Sequence, residues 1–322
     1  MTTLREARPE DAAGVRELFQ LCHGREFPSE LWRWQYADGP RGPALADAAV
    51  RGSAVIGHLA SLPVRLERGP ESVDAALWVD LMVHPAHRDL DTFLDLAEAH
   101  RAHCQAQGKS VLFAFPNDRS YPLLKRLLDW QPIEEIDALE APLAGLPAAA
   151  VPQDLALAPC ARFTGEFDAF WERVRPARAW CVRRDAAHLD WRYRRKPGAD
   201  YKVWSARDAS GRLQGWLAAK MFTKTASPVG DILDLWTEEP GCPAEAGLWA
   251  RALDWFRERG AARVSAWALK GSALSGRFRG YGLERAGPRT HFAGRWAAQA
   301  EGKPFPAQGP DWQVAKGDSD VF

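Results

Sequence analysis

The chain has 322 residues, 46% of them hydrophobic, and its 42 basic side chains balance 42 acidic ones. That is enough apolar material for two ordinary domains, it rules out a disordered chain, and the neutral total leaves no global positive field to gather nucleic acid or anionic membrane. Five cysteines at positions 22, 104, 160, 181 and 242 form no close C-x-x-C pair, so no disulfide or zinc framework is expected, and the charged start MTTLREARPEDAAG predicts a cytoplasmic chain.

In chain order, Arg8 to Cys22 opens with Pro9, Glu10 and Asp11, suited to a first helical turn, and puts Val15, Leu18, Phe19 and Cys22 on one face. An amphipathic helix is predicted there. Ser53 to Ala60 and Trp78 to Val83 read as strands, with a hairpin over Arg65 to Ser72 between Pro63 and Val73. Phe93 to Gln107 is predicted as a helix closed by Gly108, Val111 to Phe115 as a strand, and Asn117 to Leu128 as a returning helix. An Ala- and Pro-rich stretch over 141–159 reads as a linker. Beyond it, strands are expected over Tyr201 to Ala206, Leu213 to Met221, Ile232 to Thr237 and Arg263 to Ala268. Helices are expected over Ala244 to Glu258 and before Tyr281.

The second series repeats the first. Trp34, Tyr36 and Pro40 share the spacing of Trp191, Tyr193 and Pro197. Trp78 to Val83 with Pro85 parallels Ile232 to Thr237 with Pro240, and the segment from Val111 parallels that from Val264. Three blocks in one order at nearly constant offset indicate an internal duplication. Two domains follow, over 1–140 and 160–322.

The order of elements, with the junction VDLMVHPAHRDLDTFLDLAEAH, resembles the GNAT superfamily of acyl-CoA-dependent N-acyltransferases, and both halves carry the resemblance. The pieces FAFPNDRSYP and RRDAAHLDWRY are similar to those of a bacterial tandem-GNAT subgroup. The resemblance implies a mixed α/β chain of two tandem domains, each a mostly antiparallel twisted sheet flanked by helices. It also implies acetyl-CoA or another acyl-CoA as co-substrate, held by loop amides at a helix N-terminus. In the family pattern V-x-P-x-x-R-x-x-G-x-(G/A), this chain keeps Val83, Pro85 and Arg88 and departs at Asp91 and Phe93. The implied cofactor-binding residues are Met82, Val83, Arg88, Asp89, Leu90, Asp91, Thr92 and Asn117. A carboxylate at Asp91 opposes phosphate and could itself cap the helix. The equivalent junction, Glu238 to Pro243, has two acids, two prolines and no arginine, so its coenzyme site is expected to be lost.

Amide formation needs a base for the acceptor ammonium and an acid for the leaving thiolate. Asp80 and Asp234, at equivalent positions in apolar strands, and His84 are the candidate bases; Tyr121 and Tyr281 are candidate acids, packing being the alternative role for both. Trp34, Tyr36, Trp191 and Tyr193 are either core anchors or acceptor-lining residues. His84-x-x-His87 and His100-x-x-His103 with Cys104 have ligand-like spacing, but no distant partner completes a site, so solvent-facing histidines and no metal are expected. The run Arg183-Arg184 through Lys196 reads as a solvated helix face, with phosphate or RNA contact as the alternative. The leading function is acyl transfer from coenzyme A to an amine of a small metabolite or sugar. A catalytically decayed GNAT-like binding protein and an aminoacyl-tRNA-dependent transferase are the alternatives.

Overall fold

The computed structural model describes residues 1–147, 154–223, 227–287, 290–298, 305 and 311–319. In chain order its elements are β1 (Thr2–Glu6), α1 (Ala12–His23), α2 (Ser29–Tyr36), β2 (Leu45–Arg51), β3 (Ala54–Arg68), β4 (Glu71–Val83), α3 (Leu90–Ala106), β5 (Val111–Ala114), α4 (Tyr121–Leu127) and β6 (Gln131–Pro142). There follow β7 (Ala156–Pro159), α5 (Gly165–Val174), β8 (Cys181–Val182), α6 (Ala186–Tyr193), β9 (Tyr201–Arg207), β10 (Leu213–Phe222), β11 (Val229–Thr237) and α7 (Pro243–Glu258). The described part closes with β12 (Arg263–Leu269), α8 (Ala273–Gly280), β13 (Glu284–Arg285), β14 (Thr290–Trp296) and a 3-10 turn at Lys316–Asp318. No described helix is long and apolar enough to cross a membrane.

Two compact units result. The first comprises Met1–Leu66, Ser72–Ile133 and His291–Ala307, the second Glu67–Glu71, Glu134–Thr290 and Gln308–Phe322. In the first, the strands run β1-β2-β3-β4-β5-β14; in the second, β7-β9-β10-β11-β12-β6. Both sheets are mostly antiparallel, and each has one parallel step, β4 to β5 and β11 to β12. Each is completed by a strand from the other sequence repeat: β14 pairs antiparallel with β5, and β6 with β12. The compact units therefore differ from the repeats 1–140 and 160–322 by an exchange of one closing strand each. Within the stretch read as a linker, β7 pairs with β9, and residues 148–153 lie outside the described residues.

Local chemistry explains the element ends. Helix α3 starts at Leu90 rather than Phe93 because Asp89 caps it: its Oδ1 accepts the Thr92 amide at 2.7 Å and its Oδ2 accepts the Thr92 hydroxyl at 3.0 Å. The cap is thus Asp89 and not Asp91, which is exposed in the first turn. Phe93, Leu96, Ala97, His100 and Cys104 face inward at helical spacing, and the first core gathers them with Trp78, Leu112 and Trp130. Helix α4 starts late, at Tyr121, because Asn117 Oδ1 accepts the amides of Arg119 and Ser120, both at 3.0 Å, in an Asx turn. In the second unit every residue of β11 is buried, as expected of a strand covered on both faces, and α7 packs Leu248, Ala252 and Phe256 into the core.

Candidate active site

The parallel pairing of β4 with β5 covers Ala75↔Val111 to Leu77↔Phe113. Beyond it β4 runs on to Val83 while β5 ends at Ala114. The strands part, and a cavity of about 520 Å³ lies at the parting. Its walls are Leu81, Met82 and Val83 from the end of β4, Arg88, Asp89, Leu90 and Phe93 from the junction and first turn of α3, Asn117, Arg119 and Ser120 from the loop after β5, Leu123 from the first turn of α4, and Cys22 with His23 from the last turn of α1. Of the cofactor residues implied by sequence, Met82, Val83, Arg88, Asp89, Leu90 and Asn117 are brought together here; Asp91 and Thr92 are not in the lining. Cys22 and His23 adjoin in sequence as a thiol and a base, a pattern read there as a helix cysteine; tertiary packing brings both to the cavity, and Arg119, not marked by any motif, arrives with the loop after β5. Val83 O ties the walls together, accepting from Cys22 Sγ at 3.5 Å and from Arg88 Nε at 3.3 Å. The apolar wall and two guanidinium groups fit a ligand with a lipophilic arm and anionic end groups, as an acyl-CoA has.

Asp80 stands just before this wall. Its φ of 53° puts a non-glycine residue in the left-handed region, which an Asp tolerates better than most side chains. Its carboxylate accepts from Gln35 Nε2 at 2.7 Å and from Tyr36 Oη at 2.6 Å, and its carbonyl lies 3.3 Å from His58 Nδ1. Burial holds the His58 imidazole down at about 4. His84 caps the turn after β4, accepting the Ala86 amide at Nδ1 at 3.1 Å. Tyr121 stacks on His291 with centroids 3.9 Å apart, and His291 Nε2 lies 2.9 Å from Asp118. None of Asp80, His84 and Tyr121 lines the cavity.

The W-x-Y elements are helical, so Trp34 and Tyr36 point to different faces, as do Trp191 and Tyr193. All four are buried. Tyr193 bonds Asp234 as Tyr36 bonds Asp80, a pairing that the repeat preserves.

The second unit treats its parting strands differently. Pairing of β11 with β12 ends at Asp231↔Ser265, and at that rung Lys316 Nζ bonds Asp231 and, at 2.8 Å, Ser265 Oγ. Arg192 donates to Gly317 O at 3.0 Å and Ser319 O at 2.8 Å, and Arg184 holds both Asp234 and, at 2.7 Å, Asp318. Gly317 lies so close to Asp234 and Tyr193 that a Cβ would overlap both. The segment Ala315–Ser319 thus packs at the last paired rung and against Asp234 and Tyr193, where the first unit has no described counterpart contact. The junction is closed as well: buried Glu245 accepts from the Gly241 amide at 3.2 Å and from Arg277 at 2.9 Å.

Two expectations are corrected. The basic run is only in part a solvated face: Arg194 and Arg195 are exposed, but Arg184 and Arg192 are 1% and 2% exposed and bond carboxylates and carbonyls inside the unit. His100 is fully buried, not solvent-facing, and a distant acid does join it: Asp47 Oδ2 lies 2.6 Å from His100 Nδ1 and 2.9 Å from His103 Nδ1. Burial pushes the Asp47 carboxyl up, but the two imidazoles outweigh it and hold it below its ordinary value. Tyr281 donates to Glu245 and stacks on Trp249, a packing role, and burial raises its phenol.

Residues 3–132 match the family model of an acetyltransferase (GNAT) domain. No curated protein matches the chain in sequence. Among solved structures, a GCN5-related N-acetyltransferase from Anabaena variabilis is 14% identical, with 92% of this chain and 73% of that one covered at a TM-score of 0.72. A probable N-acyltransferase from Enterococcus faecalis is 11% identical over the same shares, at 0.73. A tandem GNAT protein from the clavulanic acid biosynthesis pathway is 16% identical, with 94% of this chain and 100% of that one covered, at 0.62. The chain has the tandem GNAT fold.

Proposed function

We propose that this chain, whose residues 3–132 match a GNAT acetyltransferase domain, moves an acetyl or other acyl group from coenzyme A to an amine of a small metabolite or sugar, with one coenzyme per chain. The observation that carries the reading is the cavity of about 520 Å³ with two arginines at the first strand parting, whereas at the second unit's junction buried Glu245 engages the Gly241 amide and Arg277. A bound acyl-CoA would supply a thioester whose carbonyl the neutral acceptor amine attacks; the carbon–sulfur bond breaks and the thiolate takes the proton that the attacking nitrogen loses as the amide forms. Of the residues at the cavity, Leu81, Met82 and Phe93 give the apolar wall for the arm, and Arg88 the charge for a phosphate. His23 is the lining imidazole and takes the ammonium proton, since imidazole is the side chain that accepts protons near neutral pH. Asp80, engaged by Gln35 and Tyr36, has a positioning role: it fixes the bend of β4 that aims Leu81 and Met82. The tRNA-dependent alternative is the weaker reading, since Arg184 and Arg192 of the basic run are buried in the second unit and only its end, Arg194 and Arg195, is exposed.

Calorimetric titration of the full chain with acetyl-CoA and longer acyl-CoAs tests the reading. One site per chain is expected, and Arg88→Ala should weaken binding roughly ten- to a hundredfold. No heat with any acyl-CoA at millimolar concentration overturns the reading in favour of a decayed binding protein, for which the Asp89 cap on α3 is the supporting observation.

A further inference from the structure

The first turn of α3 does not offer its amides freely. Asp89 uses both carboxylate oxygens on Thr92, one on the amide and one on the hydroxyl, so a negative charge already sits where the helix N-terminus would receive an anion. The cap takes the Thr92 amide and its charge opposes an anion at this helix end, which shifts the holding of a phosphate towards side-chain cations. Two cations line the space, Arg88 and Arg119. Arg88 is tethered through Nε to Val83 O, which directs it from the end of β4.

Arg119 differs. It is exposed, it lines the cavity, and among the described residues its guanidinium has no hydrogen bond or ion pair. Its backbone, by contrast, is braced. Asn117 Oδ1 holds the amides of Arg119 and Ser120, and one residue further Tyr121 stacks on His291 of β14, which also reaches Asp118. A free guanidinium on a fixed loop loses less freedom on binding than one on a loose loop.

The geometry points to Arg119 as the residue that, with Arg88, holds the pyrophosphate of the coenzyme in place of the capped helix amides. The assignment rests on the acyl-CoA reading above. Arg119 acts by binding and takes no part in bond making. A planar guanidinium can meet two phosphate oxygens at once, which an ammonium cannot, so Arg119→Lys should recover only part of the affinity lost in Arg119→Ala.

The test is calorimetric titration of the wild-type chain, Arg119→Ala and Arg119→Lys with coenzyme A, 3′-dephospho-coenzyme A and pantetheine, at two salt concentrations. Arg119→Ala should weaken coenzyme A and its dephospho form alike, roughly ten- to a hundredfold, with a shallower salt dependence, and leave pantetheine unchanged. Adding Asp89→Ala to Arg119→Ala should regain part of the affinity by freeing the Thr92 amide. The side chain is exposed, so melting should not move. Equal affinity of wild type and Arg119→Ala for coenzyme A overturns the assignment and leaves the acyl-CoA reading standing. A loss confined to coenzyme A also overturns it, moving Arg119 to the 3′-phosphate, and an equal loss for pantetheine overturns it as a change of cavity shape. No binding of any of the three by the wild type removes both.

Discussion

The two partings of parallel strands, β4 from β5 and β11 from β12, began as copies of one design and now hold different things. Both keep the tyrosine-to-carboxylate bond, Tyr36 to Asp80 and Tyr193 to Asp234. Around the first, the polar groups sit at an open cavity, and the capping carboxylate of Asp89 is exposed. Around the second, Arg184 and Asp234 are each 1% exposed, Lys316 stands at the last paired rung, and Glu245 closes the junction. The difference teaches that a duplicated fold can keep its internal bond while the space beside it changes use. Buried charges in the second copy are satisfied by one another, Arg184 holding both Asp234 and Asp318.

Breaking the buried network should have the largest effect. Arg184→Met leaves Asp234 and Asp318 buried without their cation and should cost roughly 3–5 kcal/mol in denaturant unfolding. A loss under about 1 kcal/mol would mean that the tail is not part of the second core, and the contrast would fall. Trp34→Ala and Trp191→Ala should cost similar amounts, roughly 3–5 kcal/mol each, since both indoles are buried anchors. Unchanged melting with lost ligand binding in either would return that tryptophan to the acceptor pocket.

A pH series sharpens the comparison on the first side. His58 is held at about 4 when folded against an ordinary value of 6.5. The unfolded chain therefore binds more protons between those values, and stability should fall as pH drops from 6.5 to 4, by about 3 kcal/mol from this group. His58→Gln should flatten that part of a thermal-melting profile; an unchanged slope would place the proton uptake elsewhere. The smallest effect separates the two conserved bonds. Tyr193→Phe should cost about 2 kcal/mol and Tyr36→Phe about 1 kcal/mol, because Asp234 is buried and Asp80 only half-buried, and equal losses in chemical unfolding would erase the distinction.

Much of this was legible in local chemistry. The repeat spacing of Trp34, Tyr36 and Pro40 with Trp191, Tyr193 and Pro197 survives as a shared hydrogen bond, and the residues after Leu81 do gather at one cavity. Capping was half legible: a carboxylate at the start of α3 was expected, but Asp89 and Asp91 are equally good caps by type, and only the path of the chain before Leu90 chooses between them. The basic run misled because a guanidinium in sequence carries no sign of what will face it; Asp234 and Asp318 reach Arg184 from 50 and 134 residues away.

By itself, then, the sequence determined what depends on near neighbours: the amphipathic helices, the buried strands, the duplication and the junction after β4, all set by periodicity and short-range hydrogen bonding. Tertiary structure alone decided the exchange of β6 and β14, the arrival of His23 and Arg119 at one cavity, and the bonding of Ala315–Ser319 to Arg184, Arg192 and Asp231. Those outcomes join residues far apart in the chain, and their energies come from pairing, burial and charge compensation that exist only once the distant partner has arrived.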